Sequence, residues 1–341
     1  MWQRAPGDLA LVRDGSPAYR LDETVIGDTH VAPNRGKSDA SHPHFTKPPT
    51  WLGAPFGAPT SAAKAAIVGI PFDCGTHPNR IGSRMGPAAI REMSSHLRRY
   101  DPRTNLDVVA DLGLIDCGDV PVTSSLIEES FSVIEVAITA IASKGTIPVT
   151  MGGDGAVTLP QVRALARLYP GLCIVHIDAH TDAYPIQGYN TATGFRHMAQ
   201  EELIDAKRSF QIGMRGPTMV PGVFEFCREL GYNLITMAEL RRVGYEAVVE
   251  RVTKTVGDRP VYLCYDMDFF DPSVAPGVCT PTWGGCQAHE GLAFLELLQP
   301  LDTKLLDVNT VSPPHDTGGM TAFLAGTLMW TFLAGLAGKK V

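Results

Sequence analysis

Two short acidic clusters are the part of this sequence best suited to chemistry. The first, Asp178-Ala179-His180-Thr181-Asp182, sets two carboxylates and an imidazole at alternate positions. An extended chain points alternate side chains the same way, so all three can face one cavity. The second, Asp266-Met267-Asp268-Phe269-Phe270-Asp271, repeats the alternation at 266 and 268 straight after an apolar run. Carboxylates crowded together repel strongly unless cations sit between them. Oxygen ligands with one imidazole suit Mn2+ or Ni2+ better than a structural zinc. Either cluster alone reads equally as loop carboxylates with hydrogen-bonding roles; the pair, each following a strand, favours metal ligation. The candidate ligands are Asp178, His180, Asp182, Asp266 and Asp268.

The elements that must position them are legible as apolar runs. These are Ala65–Ile70, Thr146–Met151, Cys173–Ile177, Phe210–Met214, Leu234–Met237, Val261–Tyr265 and Lys304–Val308. They are continuous rather than alternating, which suits strands buried on both faces. Helical patterns lie between them at Pro87–Arg99, Ser125–Ser143, Tyr245–Val256, Gly291–Leu301 and Met320–Leu336. The second should be capped by Ser125 with Glu128 three residues on, and should stop before Gly145. Strand–helix repetition predicts an α/β fold of three layers (α/β/α) around a central parallel sheet. In such a sheet ligands sit beyond the carboxyl ends of the strands, which is where Asp154 and both clusters fall. Residues 1–62, rich in Pro, Gly, Ser and Asp, read as an extended N-terminal arm, and residues 63–341 as a single α/β domain.

Composition narrows the function classes. The 341 residues carry a net charge of −7 with no basic stripe, so a nucleic-acid partner is not expected. No apolar run of about 18 residues is apparent, so no membrane span is expected. The first residues lack a signal-peptide pattern. Seven cysteines stand singly, without a CxxC pair, which fits reduced thiols in a cytoplasmic protein.

Three motifs in order give a specific likeness. Gly152-Gly153-Asp154, the 178–182 cluster and Asp266-Met-Asp268-Phe-Phe-Asp271-Pro272 resemble the three signatures of the ureohydrolases, the arginase and agmatinase family. The loop Gly75–Pro87 and the segment Ala275-Pro276-Gly277 through Gly285 resemble two more of its segments, and the likeness spans about residues 64–338. The resemblance implies an arginase-like fold, trimers or hexamers, and hydrolysis of a guanidino C–N bond by a hydroxide bridging two metals.

The family pattern is broken at four positions. Gly155 stands where the family has a metal-binding His, and Thr191 where it has a proton-shuttling His. Thr310 replaces a Glu that grips the guanidinium, and Thr282 replaces the agmatinase-like Glu after Thr-Pro. A hydroxyl cannot form the bidentate charged pair that a carboxylate offers a guanidinium. By the family's pattern Asp178, His180, Asp266 and Asp268 complete one metal site, while the second keeps Asp178, Asp182 and Asp266 without its His. The expected cofactor is Mn2+ or Ni2+, one ion per chain or none. His176 reads as a packed core residue; His77 and His315 lie in loops that could approach the rim, His197 could replace the shuttle lost at Thr191, and Trp283 could cap the rim.

The first loop and the long arm look most like the guanidine- and biguanide-hydrolysing branch. Within it the nickel-dependent metformin hydrolase has two unlike subunits, and this chain is similar to what its degenerate subunit should look like. The expectation is a catalytically impaired, stabilising subunit beside a complete ureohydrolase partner, with the small guanidino compound bound through that partner. The alternatives are an active agmatinase-like or guanidine hydrolase with a mainly one-metal site, and a free-standing binding protein. No GxGxxG follows the first strand, where Gly69-Ile70-Pro71 stands, which disfavours a dinucleotide-binding protein.

Overall fold

The computed structural model describes residues 49–74 and 79–339. Among these, eight strands form one parallel sheet: β1 Ala65–Gly69, β2 Ile115–Asp119, β3 Ile147–Met151, β4 Cys173–Ile177, β5 Phe210–Met214, β6 Asn233–Thr236, β7 Pro260–Asp266 and β8 Asp302–Asn309. Their spatial order is β2-β1-β3-β8-β7-β4-β5-β6. The helices are α1 Gly86–Ser94, α2 Ile127–Ala142, α3 Thr158–Leu168, α4 Gly194–Gln200, α5 Val223–Glu229, α6 Met237–Val243, α7 Tyr245–Val256, α8 Ala288–Leu297 and α9 Met320–Gly338. Two apolar clusters fill the two faces of the sheet. One gathers Ile90, Leu240, Val252, Phe294 and Leu328 from α1 and α6–α9; the other gathers Phe131, Val162, Phe195 and Cys227 from α2–α5. The architecture is therefore three-layer α/β/α. Strands β1, β3 and β4 are buried end to end or nearly so, as continuous apolar runs require.

Several expectations need correction. Strand β2, Ile115-Asp-Cys-Gly-Asp119, has no apolar run to announce it. It is held by Arg91, whose Nε and Nη2 each lie 2.9 Å from an Asp116 oxygen. Helix α2 starts at Ile127 after Leu126 and has no side-chain cap; its first turn is instead acidic, with Glu128 and Glu129 near the positive end of the dipole. The capping box belongs to α8, where Gln287 and Glu290 satisfy each other's backbone donors. Helix α9 carries no charge and has a mean hydropathy of 1.6 in its most apolar window, so a long apolar run is present after all, of a length and composition that core helices share with membrane spans. Small and hydroxyl residues interrupt its apolar run, and 56% of its most apolar window is buried in the fold.

Within the stretch read as an arm, residues 1–48 lie outside the described residues. Trp51 and Leu52 are core: Trp51 N donates to Asp116 Oδ2 at 2.8 Å and Leu52 N to Ser94 Oγ at 2.8 Å.

Candidate metal centre

The parallel order delivers four loops to one rim. After β3, the Gly152-Gly153 turn leads into Asp154, which caps the next helical turn. Its Oδ1 accepts from Ala156 N at 3.1 Å and its Oδ2 from Cys74 N at 2.7 Å. After β4 comes Asp178, fully buried, with Oδ2 at 2.8 Å from His176 Nε2 and Oδ1 accepting from His180 N at 2.5 Å. After β7 come Asp266 and Asp268. Asp268 Oδ1 accepts from Ala179 N at 3.0 Å, which stitches the second acidic cluster to the first. After β8 comes Thr310, whose hydroxyl donates to Asp266 Oδ1 at 2.5 Å.

His180 sits at the centre. Its Nδ1 is 3.0 Å from Asp268 Oδ2 and 3.4 Å from Asp178 Oδ1, and its Nε2 is 3.1 Å from Thr282 Oγ1. One atom each from Asp178, His180 and Asp268 lies within 4.8 Å of the others, as does one each from His176, Asp178 and Asp182. Asp266 joins through Asp268 N, which donates to its Oδ1 at 2.7 Å. Asp178, His180, Asp182 and Asp268 thus fall into two groupings that share Asp178, with Asp266 beside Asp268.

The charges are badly matched to their burial. Burial, then the Asp178 and Asp268 charges, pushes the Asp182 carboxyl well up; burial, Asp268 and Asp178 do the same to Asp266. Burial would also raise Asp178, but His176 and His180 outweigh it and hold that carboxyl below the usual range. Burial opposes charge on His180, yet Asp268 and Asp178 carry its value well above 6.5. A site of this kind gathers protons or a cation.

Burial lifts Asp154 to about 6. This folded-state value lies above the unfolded one, so Asp154's contribution to stability is intact near pH 4 and is lost as pH rises through about 6. With chelator present, urea unfolding should show about 2 kcal/mol less stability from this group at pH 7.5 than at pH 4. In Asp154→Asn that part of the pH dependence should vanish.

Two groupings of side chains lie at ion-holding spacing, Asp178–His180–Asp268 and His176–Asp178–Asp182. Asp178, His180 and Asp268, with Asp266 beside them, offer oxygen and nitrogen atoms at the spacing a single divalent ion needs. The second grouping gets no imidazole from position 155, which is glycine. A Cβ at Gly155 would stand 2.9 Å from Asp182 Oδ2 and 3.0 Å from Thr191 Oγ1. Those two side chains have closed over the place from which an imidazole would reach, and Thr191 Oγ1 is buried there without a hydrogen-bond partner. Thr310 is β-branched yet holds φ +66°, a left-handed conformation such residues rarely adopt.

The other histidines do not fill the gap. His176 stacks on Phe195 at 3.9 Å between ring centroids, and its Nδ1 meets Gln211 Oε1 at 2.8 Å, so it is a packed residue that also braces Asp178. His315 Nδ1 is engaged by Ser312 Oγ at 2.8 Å. His197 lies against Tyr189 and the carbonyl of Gly188. His77 lies outside the described residues. Trp283 is 74% exposed. One residue the sequence reading missed is Arg215, which reaches Thr282 O at 2.8 Å and Asp268 O at 2.6 Å; a lone Arg after a strand carries no spacing signal.

Known proteins resemble this chain in sequence and in fold. The sequence model of the arginase family matches residues 63–335. The chain is 36% identical to guanidinopropionase of Pseudomonas aeruginosa over 302 residues, covering 87% of this chain and 94% of that one. It is 36% identical to agmatinase of Edwardsiella ictaluri over 277 residues, covering 80% and 88%. Among solved structures it resembles proclavaminate amidino hydrolase of Streptomyces clavuligerus, with a TM-score of 0.81 and 31% identity over 85% of this chain and 97% of that one.

Proposed function

The chain belongs to the arginase family, and from that premise we propose that it serves as the catalytically impaired, stabilising subunit of a hetero-oligomeric amidinohydrolase. The observation that carries the reading is at Gly155. Asp182 and Thr191 crowd the position from which a second metal's imidazole would reach. The substrate side points the same way, since Thr310 spends its hydroxyl on Asp266 rather than offering a carboxylate to a guanidinium. The fold around these changes is intact, which suits a chain kept for assembly. Its partner is a complete ureohydrolase subunit in a trimer or hexamer, of the metformin hydrolase type, which releases urea from a guanidino or biguanide compound. The chain itself holds at most one ion, Mn2+ or Ni2+, on Asp178, His180, Asp266 and Asp268. Such an ion, when bound, supplies a water of lowered pKa. Free thiols at Cys117, Cys173, Cys227, Cys264, Cys279 and Cys286 support a reducing, cytoplasmic setting.

A second reading is favoured by the compact Asp178–His180–Asp268 group: an active agmatinase-like or guanidine hydrolase running on that one ion. Urea release separates the two. The purified chain, loaded with Mn2+ or Ni2+, should release none from agmatine, 3-guanidinopropionate, guanidine or metformin. Co-expressed with a relative that keeps every ligand, it should co-purify and raise that relative's yield and turnover. Steady turnover by the chain alone would end the subunit reading in favour of the second.

A further inference from the structure

We propose that Arg215 is a positioning residue for His180, acting through the backbones of Thr282 and Asp268. Its guanidinium is spread over five carbonyls: Gly213 at 3.4 Å, Asp268 at 2.6 Å, Phe270 at 3.2 Å, Thr282 at 2.8 Å and Trp283 at 3.3 Å. Among the described residues no carboxylate pairs with it, unlike Arg91, which faces two. The side chain is only partly buried, and withdrawing even part of a cation from water is costly unless its donors are met, so the contacts it makes in place of a counter-ion indicate what it is held for. Here two belong to the turn after β7, which carries Asp268; the others lie at the end of β5 and in the 282–283 segment, whose Thr282 meets His180.

Two of those carbonyls belong to the residues whose side chains meet His180. Thr282 Oγ1 faces Nε2 at 3.1 Å and Asp268 Oδ2 faces Nδ1 at 3.0 Å. Nε2 is the nitrogen held by the Thr282 hydroxyl, and Nδ1 the one turned to the Asp178 and Asp268 carboxylates. A ligating imidazole needs its second nitrogen pinned by such a partner, and loss of that partner typically costs about 10- to 100-fold in metal affinity. A lysine could not replace the fork, because its ammonium is a point donor that cannot reach five acceptors. Thr282 thus acts on His180 rather than on substrate. The inference rests on the reading above only in taking His180 as the nitrogen of the ion site.

The test is histidine-selective 15N NMR of the full chain with chelator present, with His180→Gln identifying the resonance. The Nε2–H of His180 should exchange slowly in the natural protein and in Thr282→Ser. It should be lost in Thr282→Val. In Arg215→Lys and Arg215→Gln it should be lost or exchange at least about tenfold faster. Arg91→Lys should lower the melting temperature and leave the resonance in place, which a merely structural role for Arg215 would not distinguish. A folded Arg215 variant with the natural resonance and exchange rate overturns the proposal. If neither Arg215 variant folds, Thr282→Val decides, and retention of the slow proton there overturns it. None of these outcomes bears on urea release, so the subunit reading stands or falls separately.

Discussion

Gly153→Ala is expected to cost more than about 4 kcal/mol, enough to leave most of the chain unfolded or insoluble. A Cβ at this position would fall into the Phe72 peptide, 2.6 Å from its carbonyl carbon and 2.7 Å from its nitrogen. Backbone, unlike the tip of a side chain, cannot swing aside. The same peptides carry the hydrogen bonds that shape the rim, since Asp154 N donates to Phe72 O at 3.1 Å and Thr310 N to Gly153 O at 2.8 Å. The methyl would therefore push apart the turns bearing Asp154 and Thr310. Gly57, with nothing within 4 Å of its position, is the control, and Gly57→Ala should stay within about 0.5 kcal/mol. Urea unfolding of both proteins measures the contrast. A well-folded Gly153→Ala protein of near-natural stability would contradict the account of this turn.

Arg91→Met should cost about 3–5 kcal/mol, the usual result of removing one partner of a buried ion pair. Asp116, wholly buried, would keep only Trp51 N at 2.8 Å and Gly118 N at 2.9 Å. Asp119 would lose its partner Nη1 at 2.5 Å, although it is 42% exposed and can turn to water. The loss should be partly restored in the double variant with Asp116→Asn, because the stranded charge is then gone. A double-mutant cycle by chemical denaturation reads the coupling, and an Arg91→Met protein as stable as the parent would refute the assignment.

These two residues also mark where the sequence was legible and where it was not. Strands buried on both faces announce themselves by uninterrupted apolar residues, so β1, β3, β4, β5 and β7 could be placed within a residue or so. Strand β2 could not, because its aspartates are made tolerable by an arginine 25 residues earlier in sequence, a pairing only the fold creates. Helix α3 carries Pro160 in its first turn, where no amide donor is needed, and so reads as a break in the pattern. The two acidic clusters were legible because alternation along a strand end fixes which side chains share a face. The closure around Gly155 was not, since it depends on how the 182–191 segment folds back; nor was Arg215, whose partners are carbonyls and leave no trace in residue types.

The placement of β8 has a consequence for how the molecule comes together. Strands β1–β3 form one half of the sheet and β4–β7 the other, and β8 alone lies between β3 and β7. The chain must therefore be synthesised past residue 309 before its two half-sheets can be zipped by a strand inserted at their seam. Until then both halves present raw, sticky borders that invite off-pathway pairing. The acidic rim inherits this schedule. Asp154 comes from one half and Asp178, Asp266 and Asp268 from the other, so Asp154 joins the rim only once the last strand has docked.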